Sequence, residues 1–274
     1  MGKAPRIAMI GCGNMGGAIA QRWLDTAIVP QSGLCACTSR PASAAEVTRR
    51  LGIEAGTNLA EAVADVDVVV LGFKPQGRVE ILAQLRNVLG DRKPLVVSLL
   101  AGVELAELRG VLGPRVARWM PNTPVLTGAG VVGQCAPGLS EADVTTLAGL
   151  AAPLGLRVDV AERDFNALTA VAGCGPAYVF LFCEALASAG TSAGLDRDVA
   201  QQLARQVAVG AGLLLASAPE QPAELRERVT SKGGMTEAAL QQLRRQGWGI
   251  AMHSAVAAAV ERGQQLAAPP RNAK

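Results

Sequence analysis

The chain has 274 residues, of which 50% are apolar, 18% charged and 3% aromatic, and its net charge is +3. That length allows two domains with a substantial core, and the apolar share excludes a disordered chain. Scarce aromatic platforms and scattered basic residues exclude a surface that stacks bases or grips a polyanion, so no nucleic-acid partner is expected.

The start of the chain lacks the regions of a secretory signal, which predicts a reducing, cytoplasmic location. A strand is predicted over Ile7 to Ile10, inside R-I-A-M-I-G-C-G-N-M-G-G, and a helix over Ala18 to Leu24. Between them Gly11, Gly13 and Gly16 form G-x-G-x-x-G, the dinucleotide fingerprint. Its glycines permit a tight turn, close approach of backbone to a pyrophosphate, and close helix-to-strand packing. The loop Gly11, Cys12, Gly13, Asn14, Met15, Gly16 is therefore a candidate phosphate cradle, with a purely structural glycine turn as the alternative. A second strand, Leu34 to Thr38, ends at Ser39-Arg40, where an NAD-preferring site usually places an acid. A hydroxyl and a guanidinium suit a 2′-phosphate instead, so NADPH is expected over NADH, unless Arg40 is only a solvated loop charge.

Helix Ala44 to Leu51, strand Asp67 to Gly72, helix Gly77 to Leu89, strand Leu95 to Leu99, helix Glu104 to Leu112 and strand Val116 to Met120 continue the alternation. Uninterrupted Val/Leu strands between amphipathic helices predict a parallel sheet covered on both faces, with ligands at the carboxyl ends of its strands. That rule selects Phe73-Lys74-Pro75, Ala101-Gly102 and the loop Pro121-Asn122-Thr123-Pro124. Lys74 offers either a cation to phosphate or substrate, or an apolar stem to the sheet edge. The prolines around Asn122 stiffen a loop that suits nicotinamide binding or simply makes a turn.

Two strand-like pieces around a helix from Ser140 to Leu154 complete the sheet by Val160. From Arg163 only helices are predicted: Arg163 to Ala172, Pro176 to Ala193, Asp196 to Ser217, Pro222 to Val229, Thr236 to Arg245 and Gly247 to about Leu266. The division is therefore 1–162 and 163–274, with a frayed tail from Ala267 through Pro269-Pro270. Val171 to Ala189, broken by Gly, Pro and Glu184, falls short of a membrane span and reads as a buried helix. Val179 to Leu186 and Val207 to Leu215 carry more apolar surface than a small helical domain buries, so a subunit interface is expected, with central helices as the alternative.

Arg228 to Glu237 reads R-V-T-S-K-G-G-M-T-E, with Thr236 as the expected N-cap of the next helix. The amides of Gly234, Met235 and Thr236 with the Thr236 hydroxyl would converge on a carboxylate, or the glycine pair is ordinary punctuation. His253, the only histidine, is expected to pack rather than transfer protons, and no Ser/His/Asp arrangement is present. Cys12, Cys35, Cys37, Cys135, Cys174 and Cys183 have no C-x-x-C or histidine spacing, so neither a metal site nor a disulfide framework is expected, and most read as small buried residues.

Taken in order, G-C-G-N-M-G, F-K-P-Q at Phe73 to Gln76, W-M-P-N-T-P at Trp119 to Pro124, G-C-G-P-A-Y at Gly173 to Tyr178 and V-T-S-K-G-G-M-T at Val229 to Thr236 resemble the pyrroline-5-carboxylate reductase family. The resemblance implies an α/β fold: an N-terminal Rossmann doubly wound sheet binding NADPH or NADH, and a C-terminal all-α domain that forms homodimers, often assembled into decamers. It implies a small imino acid, 1-pyrroline-5-carboxylate, as the substrate reduced to L-proline; the interrupted run Val171 to Ala189 leaves no membrane partner expected. It places the cofactor along Gly11 to Gly16, Ser39, Arg40, Asn58, Lys74, Pro75, Ala101 and Gly102. The substrate carboxylate falls to Gly233, Gly234, Met235 and Thr236, and Thr169 becomes a candidate for orienting or protonating the imine. The family usually has S-G-S-G-P-A-Y and S-P-G-G-T-T where this chain has Ala172-Gly173-Cys174-Gly175 and Ser231 to Thr236 with Lys232 and Met235. Competing readings are a β-hydroxyacid dehydrogenase, whose lysine is absent from Pro176 to Ala193, and a non-catalytic NADPH sensor.

Overall fold

The computed structural model describes residues 4–267, so the expected frayed tail beyond Ala267 lies outside the described residues. Two compact units form: one runs to Gly173 and takes up the chain again at Ala259, and the other is Cys174–Ala258.

In the first unit β1 (Ile7–Ile10) leads to α1 (Asn14–Asp25), β2 (Leu34–Cys37) to α2 (Pro41–Leu51), and β3 (Glu54–Gly56) to α3 (Leu59–Ala62). β4 (Val68–Leu71), α4 (Arg78–Leu89), β5 (Leu95–Ser98), α5 (Leu105–Leu112) and β6 (Val116–Pro121) follow, then β7 (Gly130–Cys135), α6 (Glu141–Ala151) and β8 (Gly155–Asp159). The sheet order is β3-β2-β1-β4-β5-β6-β7-β8. The order reverses between β1 and β4, which opens a crevice at the carboxyl ends of these two strands. β1, β4 and β5 are buried at every position, as strands covered on both faces must be.

The sheet is parallel from β3 through β6, but β7 runs antiparallel to β6 and β8 parallel to β7. The wholly parallel sheet expected from the alternation therefore ends at β6. Residues 122–129 are too short for a helical crossover, and only an antiparallel return fits that length. β3 and α3 were not expected, being too short to show a period. α1 begins at Asn14 rather than Ala18, because Gly16 and Gly17 join its first turns without adding to the apolar pattern.

Beyond β8, α7 (Phe165–Leu168) gives way to a π-helical turn, Thr169–Gly173, in place of one continuous helix from Arg163 to Ala172. The second unit holds α8 (Gly175–Ser192), α9 (Arg197–Ser217), α10 (Pro222–Arg228), α11 (Met235–Arg245) and the opening turns of α12 (Trp248–Ala267). Pro176 lies in the first turn of α8, where its missing N–H costs nothing. The Asp196 side chain caps α9 by accepting from the amides of Asp198 and Val199. α8 packs on α9 where Gly190 leaves room for Ala200, and Phe182 meets Trp248 edge-on with centroids 6.4 Å apart.

The expectation that Val171 to Ala189 is buried is not met within the chain, since α8 has no buried residue. Phe180 is 66% exposed, Leu213 on α9 67% and Ile250 on α12 74%. An apolar circumference this wide has too few partners in so small a helical unit. By length and composition alone the run Glu162–Ser192, whose most apolar 18 residues have a mean hydropathy of 1.6, could also cross a membrane. His253 is exposed on α12, so its expected packing role is likewise unmet within this chain. Of the cysteines, Cys12, Cys37 and Cys135 are buried, Cys35, Cys174 and Cys183 half-buried, and all six are free thiols.

Candidate active site

Each fingerprint glycine is required for a different reason. Gly11 has φ +83°, and a Cβ there would lie 2.6 Å from the Phe73 amide nitrogen, so the loop after β4 rests on bare backbone. Gly16 faces the Gly11 carbonyl oxygen, 3.0 Å from where its Cβ would stand, which lets α1 sit down on the turn. A Cβ on exposed Gly13 would meet nothing within 4 Å, so the open side of the turn lies there. Gly13 is the N-cap of α1, and the first turn of that helix carries no acidic residue. The free amides of Asn14, Met15 and Gly16 thus face an uncovered, electropositive helix end, which fits the pyrophosphate of a dinucleotide.

Arg50, on α2, was missed by sequence reasoning. Its guanidinium lies across Gly17, where an added Cβ would come within 2.1 Å of Nη2, and it also reaches Cys12. The consecutive glycines at 16 and 17, opposite an arginine at the end of the next helix, were the available signal. Burial pushes the Cys12 thiol up against the pull of Arg50, so the loop carries a neutral thiol rather than a thiolate.

The other candidates in the first unit follow the carboxyl ends of neighbouring strands. Ser39 and Arg40 are exposed just beyond β2, with no carboxylate at that position. Phe73, Lys74 and Pro75 follow β4, Ala101 and Gly102 follow β5, and Gly102 turns at φ +72°. Asn58 caps α3, accepting from the amides of Ala60 and Glu61 and donating to Glu61 Oε1 at 2.7 Å. Asn122, buried after β6, donates to the Ala172 carbonyl at 2.9 Å and accepts from the Val131 amide at 2.8 Å. Thr169 is half-buried in the π-helical turn and donates to the Phe165 carbonyl at 2.7 Å.

In the second unit Thr236 is not the N-cap of α11. Gly234 occupies that position and the helix starts at Met235. The Gly234 amide closes a turn on the Ser231 carbonyl at 3.0 Å while Gly233 adopts φ +73°, which brings the chain into the helix two residues early. The Gly233 amide donates to Glu237 Oε2 at 2.6 Å. Glu237, three residues past the cap, is a second residue that sequence reasoning missed, although a glutamate at that spacing is a helix-start signal. The amides of Met235 and Thr236, with the Thr236 hydroxyl, are left as donors at an exposed helix start, and the Met235 side chain is 92% exposed.

Comparison with known proteins gives two family matches: pyrroline-5-carboxylate reductase dimerisation over residues 162–266, and NADP oxidoreductase, coenzyme F420-dependent, over residues 6–102. Pyrroline-5-carboxylate reductase from Pseudomonas aeruginosa is 39% identical, the alignment spanning 96% of this chain and 97% of that one. The enzyme of the same name from Arabidopsis thaliana is 33% identical over 95% of both chains. Among solved structures, a pyrroline-5-carboxylate reductase from Coxiella burnetii superposes with a TM-score of 0.90 at 28% identity, covering 97% of this chain and all of that one. The pyrroline carboxylate reductase of Plasmodium falciparum, solved with NADP bound, gives 0.85 at 25% identity, covering 97% of this chain and 100% of that one. With relatives of that name matched at 33–39% identity along nearly their whole length, the chain belongs to the pyrroline-5-carboxylate reductase family.

Proposed function

We propose that this protein reduces 1-pyrroline-5-carboxylate to L-proline with NADPH, a step of proline biosynthesis. The observation that carries the reading is the Gly11 to Gly16 turn, open at Gly13 and free of acidic charge, in a chain of this family. The amides of Asn14, Met15 and Gly16 hold the pyrophosphate, with Gly11, Cys12 and Gly13 shaping the turn. Ser39 and Arg40 take the 2′-phosphate, and Asn58, Phe73, Lys74, Pro75, Ala101 and Gly102 line the remaining length of the cofactor. The bound cofactor would supply a hydride to the C=N carbon of the ring imine, the atom that becomes C5 of proline.

The chain's own residues supply position and charge. Gly233, Gly234, Met235 and Thr236 hold the substrate carboxylate through the amides of Met235 and Thr236 and the Thr236 hydroxyl, at a helix start whose dipole favours an anion. Thr169 orients the imine or passes it a proton. An imine already protonated in solution needs a dry, well-oriented pocket more than a strong acid, which agrees with the absence of a catalytic histidine. The functional division is 1–162 for the cofactor and 163–274 for substrate and self-association. The exposed apolar faces of α8 and α9 pair with a second copy in a homodimer, and further association to a decamer follows the family pattern. The protein acts in the cytoplasm, without a nucleic-acid or membrane partner.

The test is NADPH oxidation by the purified protein. Turnover on adding 1-pyrroline-5-carboxylate, with proline as product, is the expected result. Turnover only with a 3-hydroxy acid and NADP+, or tight NADPH binding without turnover, contradicts it.

A further inference from the structure

We propose that Asn122 is a positioning residue, whose buried carboxamide pins the π-helical turn Thr169–Gly173, and Thr169 with it, to the end of β6. The part concerning catalysis rests on the role of Thr169 given above.

A π-helical turn takes backbone carbonyls out of the regular i to i−4 ladder, and such turns cluster at functional sites. A displaced carbonyl still needs a donor when water is scarce. Here the Ala172 carbonyl takes the Asn122 Nδ2 at 2.9 Å, and Asn122 is only 7% exposed. At the other end Asn122 Oδ1 accepts from the Val131 amide at 2.8 Å while its own amide donates to the Val131 carbonyl at 3.2 Å. The side chain thus extends the β6–β7 pairing by one step and then crosses to the π turn. Both side-chain partners are backbone groups of fixed polarity, so the carboxamide has one workable orientation.

A second attachment lies on the other side of Thr169. The Arg118 guanidinium, also on β6, stacks over the Phe165 ring 4.3 Å from its centroid and pairs with Glu162. Leu168 is seated on Gly133 of β7, where an added Cβ would lie 2.4 Å from Leu168 Cδ2. The four residue steps from Arg118 to Asn122 advance about 13 Å, and the seven from Phe165 to Ala172 about 10 Å. Two fixed points on one strand therefore grip the helical segment before and after Thr169, whose hydroxyl donates to Phe165 and whose methyl packs on Gly173. Asn122 acts through this turn rather than by contacting the nicotinamide directly.

Asn122→Asp keeps the acceptor for Val131 and removes the donor to Ala172. The expected result is a kcat lowered at least tenfold, with the Kd for NADPH and the KM for 1-pyrroline-5-carboxylate within about twofold of wild type. Hydrogen exchange of amides 169–173 should accelerate about tenfold while that of residues 7–10 is unchanged. A tenfold weaker Kd for NADPH would make Asn122 a cofactor ligand and overturn the proposal, as would unchanged exchange. If Asn122→Asp does not fold, Asn122→Ser is read in the same way. On a Thr169→Val background the Asn122 substitution should cost less than about twofold further in kcat, and fully multiplicative losses would contradict a shared route. Exchange needs no substrate, so it decides the pin even if the wild-type protein fails to reduce the imine.

Discussion

β1, β4 and β5 of the first unit have no exposed position, whereas α8 of the second has no buried one, although both are mostly apolar. The first unit carries its own cover, with helices on both faces of its sheet. The second packs α8 on α9 and leaves Phe180, Leu181, Leu213 and Ile250 to solvent. Similar composition thus leads to opposite outcomes, because burial depends on what the rest of the chain can lay over a surface. The first unit covers its own apolar surface, and the second leaves an apolar face open for the self-association proposed above.

Charging the uncovered face should break this contrast most severely. Phe180→Asp combined with Leu213→Asp is expected to convert the proposed dimer to monomer by light scattering and to lower imine reduction at least a hundredfold. NADPH affinity should stay within about twofold. A variant that remains dimeric and active would show that these residues are not the interface.

The finished unit is most sensitive at its glycine turn. Gly11→Ala must hold φ +83° and place a Cβ against the Phe73 backbone, which costs about 1–3 kcal/mol. A lower Tm and NADPH binding weakened about a hundredfold should follow. Gly13→Ala meets nothing within the chain, so Tm should be unchanged while NADPH, which needs that space, binds about tenfold less tightly. Equal effects at both positions would contradict the separate roles assigned to them.

Away from the site, Asp143 on α6 is buried, and hydrogen bonds from Arg115, at 2.6 Å to Oδ1, hold its carboxyl below the usual carboxylate range. A depressed folded value adds stability that is fully present above the unfolded pKa and is lost as pH falls through the folded one. Asp143→Asn should cost about 2 kcal/mol in denaturant unfolding at neutral pH, less than a fully buried pair because Arg115 is half in solvent. The difference should vanish in strong acid. The smallest change is expected of Arg40→Asp, with the NADPH to NADH preference in kcat/KM shifted about tenfold toward NADH. Equal selectivity afterward would mean that the 2′-phosphate is read elsewhere.

Much of the first unit was legible in the sequence because its signals are local. A Val/Leu run makes a buried strand wherever it falls, and G-x-G-x-x-G between a strand and a helix admits few backbones. The reversed direction of β7 was hidden because alternation carries no direction, and only the short connection after β6 sets it. β3 and α3 are too brief for a period, and a π turn differs from an α turn by one residue per step, which apolar spacing over 163–172 cannot resolve. Thr236 looked like the cap because threonine is a strong cap former, but left-handed Gly233 and the turn closed by Gly234 start α11 earlier. The partners of Asn122 were illegible for a different reason: Val131 and Ala172 contribute backbone, which has no signature in sequence.

Hydride delivery from the nicotinamide to a ring C=N is tested most directly by isotope. With NADPH deuterated at the transferable C4 position and unlabelled 1-pyrroline-5-carboxylate, mass spectrometry should find proline carrying one deuterium, located at C5. Unlabelled proline, or no proline while the cofactor stays reduced, would contradict the account.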